Sequence, residues 1–191
     1  EKDTVNGPVL SIPFPARVKV VEDDGNDRWI QVELVDGTLR YVQRGHVETI
    51  SDQNSIGDLV QFARALTLCE SPYYFGGRST LNGFDCSGLT QMLFREFLDI
   101  QLERDAREQI NSKQCLAIEE KDLAAGDLIF WGTSKDKVTH VGLFVGNDQF
   151  VHANVHELQG KISISTMSQP LWSQKDDALA FRAFRRVKTW S

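Results

Sequence analysis

At 191 residues the chain has room for one large domain, or for a small domain followed by a medium one, since domains usually run to about 100–150 residues. Its apolar fraction of 41% and charged fraction of 25% are those of an ordinary globular protein, so a packed core is expected and disorder is not. A net charge of −6 argues against nucleic acid or anionic membrane as a partner, because both need clustered Lys and Arg.

Apolar runs such as Val141–Val145 are too short to span a bilayer. The three cysteines, Cys69, Cys86 and Cys115, are too few for a disulfide framework and leave at least one thiol unpaired. No Cys-x-x-Cys pair is present, and the one His pair at i, i+4 spacing, His152 and His156, does not fall on a predicted helix, so a metal site is not expected. The chain starts at Glu1 rather than Met, which is compatible with removal of an upstream signal or propeptide.

Residues 1–50 read as short strands. Arg17–Val21 alternates, Glu22–Asp27 is a polar loop, and Trp29–Val35 alternates again. Asp36-Gly37 between two alternating runs predicts a hairpin into Leu39–Val42, and His46–Ile50 is a further strand candidate. Four or five strands in so short a stretch, with no helical period, predict a small β-barrel or sandwich. A core of that size is marginal alone.

Residues 51–191 have a different pattern. Asp58–Leu66 places Leu59, Phe62, Ala63 and Leu66 on one helical face. An irregular stretch with Gly76, Gly77 and Gly83 follows, and helix resumes over Cys86–Leu98 with an apolar stripe of Leu89, Leu93, Phe94 and Phe97. After a polar helical piece around Asp105–Lys113 come four predicted strands: Leu128–Trp131, His140–Val145, Gln149–Ala153 and Lys161–Ser165. Helices first and strands afterwards predict an α+β arrangement, with helices packed on one face of an antiparallel sheet.

The chemistry begins at Gly83-Phe-Asp-Cys-Ser-Gly88. Asp85 is the expected N-cap, which puts Cys86 in the first helical turn. Roughly half a positive charge at a helix N-terminus lowers a thiol pKa from about 8.5. A lone cysteine more often fills core space, because free Cys is among the most buried residue types. The glycine-rich loop favours the reactive reading, since a bare backbone admits a substrate. Cys69 and Cys115 lack such a setting and are expected to fill core space.

A thiol nucleophile needs a base. His140 and His152 flank a predicted hairpin, and a loop centred on Gly146 would set them directly opposite each other. One imidazole could then take the thiol proton while the other orients it. That pairing needs an odd loop or a compensating bulge, and a two-residue Asn147-Asp148 turn would break it. His46 and His156 lack a comparable context and are taken as surface or edge residues.

Five ordered blocks carry a resemblance: Pro72-Tyr-Tyr-Phe-Gly-Gly77, Gly83-Phe-Asp-Cys-Ser-Gly-Leu89, Ala125-Gly-Asp-Leu-Ile-Phe130, His140-Val-Gly-Leu-Phe-Val-Gly146 and Phe150-Val-His-Ala153. Over residues 58–187 the chain resembles the NlpC/P60 family of cell-wall peptidases. More loosely, Trp29 to Val42 is similar to bacterial SH3 (SH3b) modules. The resemblance implies a papain-like domain over 51–191 after an SH3-like barrel over 1–50. It also implies Cys86 as nucleophile, His140 as base, His152 as the orienting residue and Tyr73 near the oxyanion site.

The implied reaction is cleavage between γ-D-glutamate and an L-diamino acid in murein stem peptides, with no metal or organic cofactor. In relatives carrying an SH3b module, residues flanking the cysteine hold a free L-Ala amine. These are Asp85 and Ser87 here, and both can accept from an ammonium. Tyr41 is a weaker candidate for closing that cleft and is at least as well read as a barrel aromatic. In Arg104-Asp-Ala-Arg-Glu-Gln109, Ala106 stands where the family usually has Ser or Thr, so a substrate-facing hydroxyl is missing. A non-catalytic wall-binding module and another amidase or acyl-transfer activity stay open as alternatives. So do a cytoplasmic role on recycled fragments, export to the envelope, and any oligomeric state.

Overall fold

A computed structural model describes residues 18–47, 55–155, 160–173 and 179–189, except for the side chains of His46 and Ser173. The chain divides into two compact units, Glu1–Gln53 and Asn54–Ser191.

In the first unit, β1 (Lys19–Glu22), β2 (Trp29–Glu33) and β3 (Leu39–Gln43) form an antiparallel sheet in the order β1-β2-β3. Alternation in β2 buries Ile30 and Val32. The Asp-Gly hairpin forms as expected. Its strand stops at Glu33, because Leu34 pairs with Thr38 and Gly37 turns the chain at φ +79. The Asp36 carboxylate accepts from the Thr38 N–H at 2.9 Å and locks the turn.

The expected four or five strands are three among the described residues. Arg44–His46 is a 3-10 turn rather than the start of a strand, and residues 48–50 lie outside the described set. No closed barrel is formed by these strands. Tyr41 sits half-buried on β3, where its hydroxyl accepts from Gln31 Nε2 at 3.1 Å.

The second unit is α+β. Helix α1 (Ile56–Leu66) starts at a capping box in which Ser55 and Asp58 each satisfy the other's backbone N–H. It buries Leu59, Ala63 and Leu66, and Phe62 packs partly buried against Phe97. A short ribbon of β4 (Arg78–Ser79) and β5 (Gly83–Phe84) leads into α2 (Cys86–Leu98), whose bounds match the sequence reading. The polar helical piece shrinks to one turn, α3 (Ala106–Gln109).

The six-stranded antiparallel sheet comprises β6 (Cys115–Ile118), β7 (Leu128–Ser134), β8 (Lys137–Gly146), β9 (Gln149–Asn154), β10 (Lys161–Thr166) and β11 (Phe181–Val187). Its order is β10-β9-β8-β7-β11-β6. A one-turn helix, α4 (Pro170–Ser173), lies between β10 and β11 in the chain. Both faces of the centre are buried. Leu128, Phe130, Val141, Leu143 and Val151 join α1 and α2 in one core, while Ile129, Trp131, Phe144, Phe150 and Trp172 make a second. Among the described residues no helix is long and apolar enough to cross a membrane.

Candidate active site

Cys86 opens α2, and main-chain contacts fix it there. Asp85 caps the helix, accepting from the Gly88 N–H at 2.6 Å through Oδ1 and from the Gly76 N–H at 2.9 Å through Oδ2. The Asp85 N–H in turn donates to the Gly77 carbonyl at 3.2 Å. Two of the glycines in this region also serve close packing. A Cβ on Gly88 would run into the Gly77 carbonyl oxygen, and one on Gly83, at φ +97, into that of Pro72.

Cys86 is 8% exposed. Burial pushes its thiol up to about 11, the Asp85 charge adds to that, and the N–H groups of Val141, Ser87 and Cys86 act the other way. The sequence reading expects the opposite sign. Desolvation of the buried sulfur outweighs the helix terminus. The thiol therefore needs a proton acceptor, and its contact with the Val141 N–H places it beside the residue that follows His140.

His140 and His152 do meet, but not as direct partners. The Asn147-Asp148 turn that would break their pairing is present, with both residues at positive φ (54 and 61). After it Gly146 pairs with Gln149, then Val145 is skipped, and Phe144 pairs with Phe150 and Leu143 with Val151. That bulge reverses the face of every later residue on β8 relative to β9. Continued one step, the register sets Gly142 opposite His152, and a Cβ on Gly142 would lie 3.5 Å from the His152 Cβ. His140 is two residues further on and so shares a face with His152 as its diagonal neighbour. The side-chain-free Gly142 makes room for the Phe150 ring, whose Cδ2 would lie 2.8 Å from a Cβ there, and His140 Nε2 lies 2.8 Å from His152 Nδ1.

Their surroundings are aromatic. Trp172 stacks on His140 at 5.3 Å and 25° and meets His152 edge-on at 4.8 Å. Trp131, the cross-strand partner of His140, and Phe150 complete the enclosure. His152 is fully buried, and its Nε2 lies 3.0 Å from Ser165 Oγ and 3.4 Å from Ser163 Oγ.

Tyr73 is half-buried and bridged to Phe84, the residue two before Cys86. Burial first, then the negative charges of Cys86 and Asp85, push its pKa up against the pull of Arg104. Its phenol therefore stays protonated and can donate.

Asp85 and Ser87 are buried beside the thiol, and Arg104 occupies both. Its guanidinium forks onto Asp85, Nη1 to Oδ1 at 3.1 Å and Nη2 to Oδ2 at 2.6 Å, and Nη1 also reaches Ser87 Oγ at 3.1 Å. Sequence reasoning gave Arg104 no role, although the residue heads the quoted 104–109 block. From the same block Gln109 bonds the Ser87 carbonyl and the Thr90 hydroxyl, bracing the helix start. Ala106 is 7% exposed and lies in the helix-side core. Ser165 and Trp172 were also missed, since only the fold, through the β9–β10 pairing for Ser165 and the position of α4 for Trp172, brings them near the imidazoles.

Of the other candidates, Cys115 is half-buried on β6. Cys69 is exposed in the 3-10 turn after α1, a correction to the core-filling expectation, because the chain has already left the helix's buried stripe. The His46 side chain and His156 lie outside the described residues.

Residues 70–180 match the profile of the NlpC/P60 family, which is more than half of the chain. The chain belongs to the NlpC/P60 family. It is 34% identical over 104 residues to the murein DD-endopeptidase MepH of Escherichia coli, an alignment covering 54% of this chain and 38% of that protein. It is 35% identical over 105 residues to a gamma-DL-glutamyl hydrolase of Bacillus subtilis, covering 54% of this chain and 24% of that protein. The chain thus spans well under two thirds of these relatives. A solved NlpC/P60 family protein from Bacillus cereus superposes with a TM-score of 0.77 at 22% identity, covering 97% of this chain and 58% of that one. At that identity the likeness is one of fold.

Proposed function

We propose that this chain hydrolyses peptidoglycan stem peptides, cutting the amide between γ-D-glutamate and an L-diamino acid. The observation that carries the reading is the His140–His152 contact of 2.8 Å on the strand whose Val141 N–H meets the Cys86 thiol. The murein and γ-glutamyl specificities in the relatives' names support the substrate class. Residues 1–50 are proposed as an SH3b-type module and 51–191 as the peptidase domain.

His140 Nε2 faces His152, which leaves Nδ1 to serve as the base. The Cys86 proton passes to Nδ1, and the thiolate sulfur bonds to the γ-carbonyl carbon. The N–H groups of Cys86 and Ser87 at the start of α2, with the Tyr73 hydroxyl, hold the oxyanion, each such donor being worth about 3–4 kcal/mol. Collapse expels the diamino acid's amine, which takes the proton from His140. The same nitrogen then deprotonates the water that cleaves the thioester.

In this reading Asp85 and Ser87 also receive the ammonium of a free L-Ala. The Asp85 oxygens already take two backbone N–H groups and the Arg104 fork, so the ammonium adds a second cation to a satisfied carboxylate. Its contribution is accordingly modest, about 1.5 kcal/mol or tenfold. The test is incubation with L-Ala-γ-D-Glu-diaminopimelate followed by mass spectrometry. Free diaminopimelate should appear, acetylation of the L-Ala should slow its release about tenfold, and Cys86→Ala should abolish it. A wild type that leaves both peptides intact overturns the reading.

A further inference from the structure

The contact between the imidazoles continues onto β10. His152 pairs across the strands with Ser163, and Phe150 with Ser165, so both hydroxyls stand on the face that carries the histidines. Ser165 is 1% exposed.

We propose that Ser165 is a positioning residue that fixes the tautomer of His152 and, through it, that of His140. The inference rests on the Cys86–His140 reading above. For His140 to accept at Nδ1 its proton must sit on Nε2, which then donates to the bare Nδ1 of His152. His152 must therefore carry its own proton on Nε2, and a buried N–H requires an acceptor. The enclosing rings of Trp131, Phe150 and Trp172 offer none, since an indole nitrogen only donates.

Ser165 Oγ at 3.0 Å is placed to accept, and Ser163 Oγ at 3.4 Å gives the same N–H a second oxygen. One N–H can be shared between two oxygens, whereas a single lone pair takes only one hydroxyl. The paired serines thus favour the protonated nitrogen. Run the other way, the chain would put a proton on His140 Nδ1 and leave the thiol without a base.

The test is 15N NMR of the imidazoles, which reads the tautomer without substrate, alongside tripeptide kinetics. The wild type should show His152 protonated on Nε2 and bare on Nδ1. Ser165→Ala should mix the tautomers, and Ser163→Ala with Ser165→Ala should mix them further. The rate kcat should fall about tenfold to a hundredfold, by analogy with residues that fix the tautomer of a metal-ligating histidine, with KM unchanged. Ser165→Thr should restore both readouts. A wild type protonated on Nδ1, or variants with an unchanged tautomer, would overturn the assignment. Because the NMR readout needs no turnover, a tautomer shift in an enzyme that ignores the tripeptide would sink the substrate reading and leave this one standing.

Discussion

Cys86 is held by main chain, whereas His140 and His152 are held by strand register, and the errors that would misplace them are of different kinds. The thiol rests where loop glycines Gly77 and Gly83 and helix residue Gly88 pack backbone against backbone, so a misfit there is a steric clash. The imidazoles depend on one skipped residue, Val145, and a misfit there turns a side chain to the wrong face without any clash. The thiol half is rigid and electrically unfavourable on its own. In the proposed reading the histidine half deprotonates it, but it has to be kept in register.

The sharpest break of that comparison removes the base. A thiol raised to about 11 is protonated at every pH well below that value, and its thiolate fraction rises tenfold per pH unit on the way up. In His140→Ala, where burial acts on the thiol with no imidazole to take its proton, alkylation of Cys86 by iodoacetamide should climb steadily with pH and level off later than in the wild type. In the wild type it should level off far lower, because the imidazole takes the proton. Peptide cleavage by the variant should fall by about 10²–10⁴-fold, the range for loss of a general base. Matching alkylation profiles for the two proteins would show that the imidazole does not govern the thiol.

A paired experiment separates the two kinds of support. Arg64 of α1 reaches the bulge, its Nη2 donating to the Val145 carbonyl at 2.8 Å and its Nη1 to Gln149 Oε1 at 3.0 Å. Arg64→Met keeps the aliphatic stem but frees that carbonyl. It should cost about 1–3 kcal/mol of stability and about tenfold in activity, as register populations mix. Gly88→Ala puts a methyl group into the Gly77 carbonyl. It should cost about 3 kcal/mol or more, while any folded protein keeps its histidine contact. Denaturant melts with tripeptide kinetics decide between them. Equal losses on both axes for both variants would erase the distinction.

The same contrast explains what could be read from the chain. Helix α2 was legible to its ends, because Asp85 announces the cap and Leu89, Leu93 and Phe94 keep a helical stripe into the core. Strands β8 and β9 were legible as strands, but their register was not, since Val145 is as apolar as its neighbours and alternation does not mark a skipped residue. Strand β11 escaped notice because arginines interrupt Phe181–Val187. There Arg186 forks onto the buried Asp127 and Arg185 donates to the Ile110 carbonyl, satisfactions that only the fold supplies. Arg104 was hidden for a related reason. Its partner Asp85 lies 19 residues upstream, and no local pattern links them.

The smallest expected effect tests the thiols against one another. Cys69 is exposed, its sulfur lying 3.9 Å from the Ala65 carbonyl oxygen, whereas Cys86 is buried at the helix start. Cys69→Ser swaps one small polarisable group for another in water, so stability should move by no more than about 0.5 kcal/mol and cleavage should not change. Its value is as a counting control. In the wild type iodoacetamide should label three sulfurs: Cys86, fast near neutral pH and answering to His140; Cys69, following an ordinary exposed thiol; and the half-buried Cys115, whose thiol burial pushes up to about 11, slowest of all. Cys69→Ser should remove the second of these alone, as peptide mapping by mass spectrometry would record. Loss of the fast label instead would move the reactive thiol away from the helix start and separate it from the imidazoles.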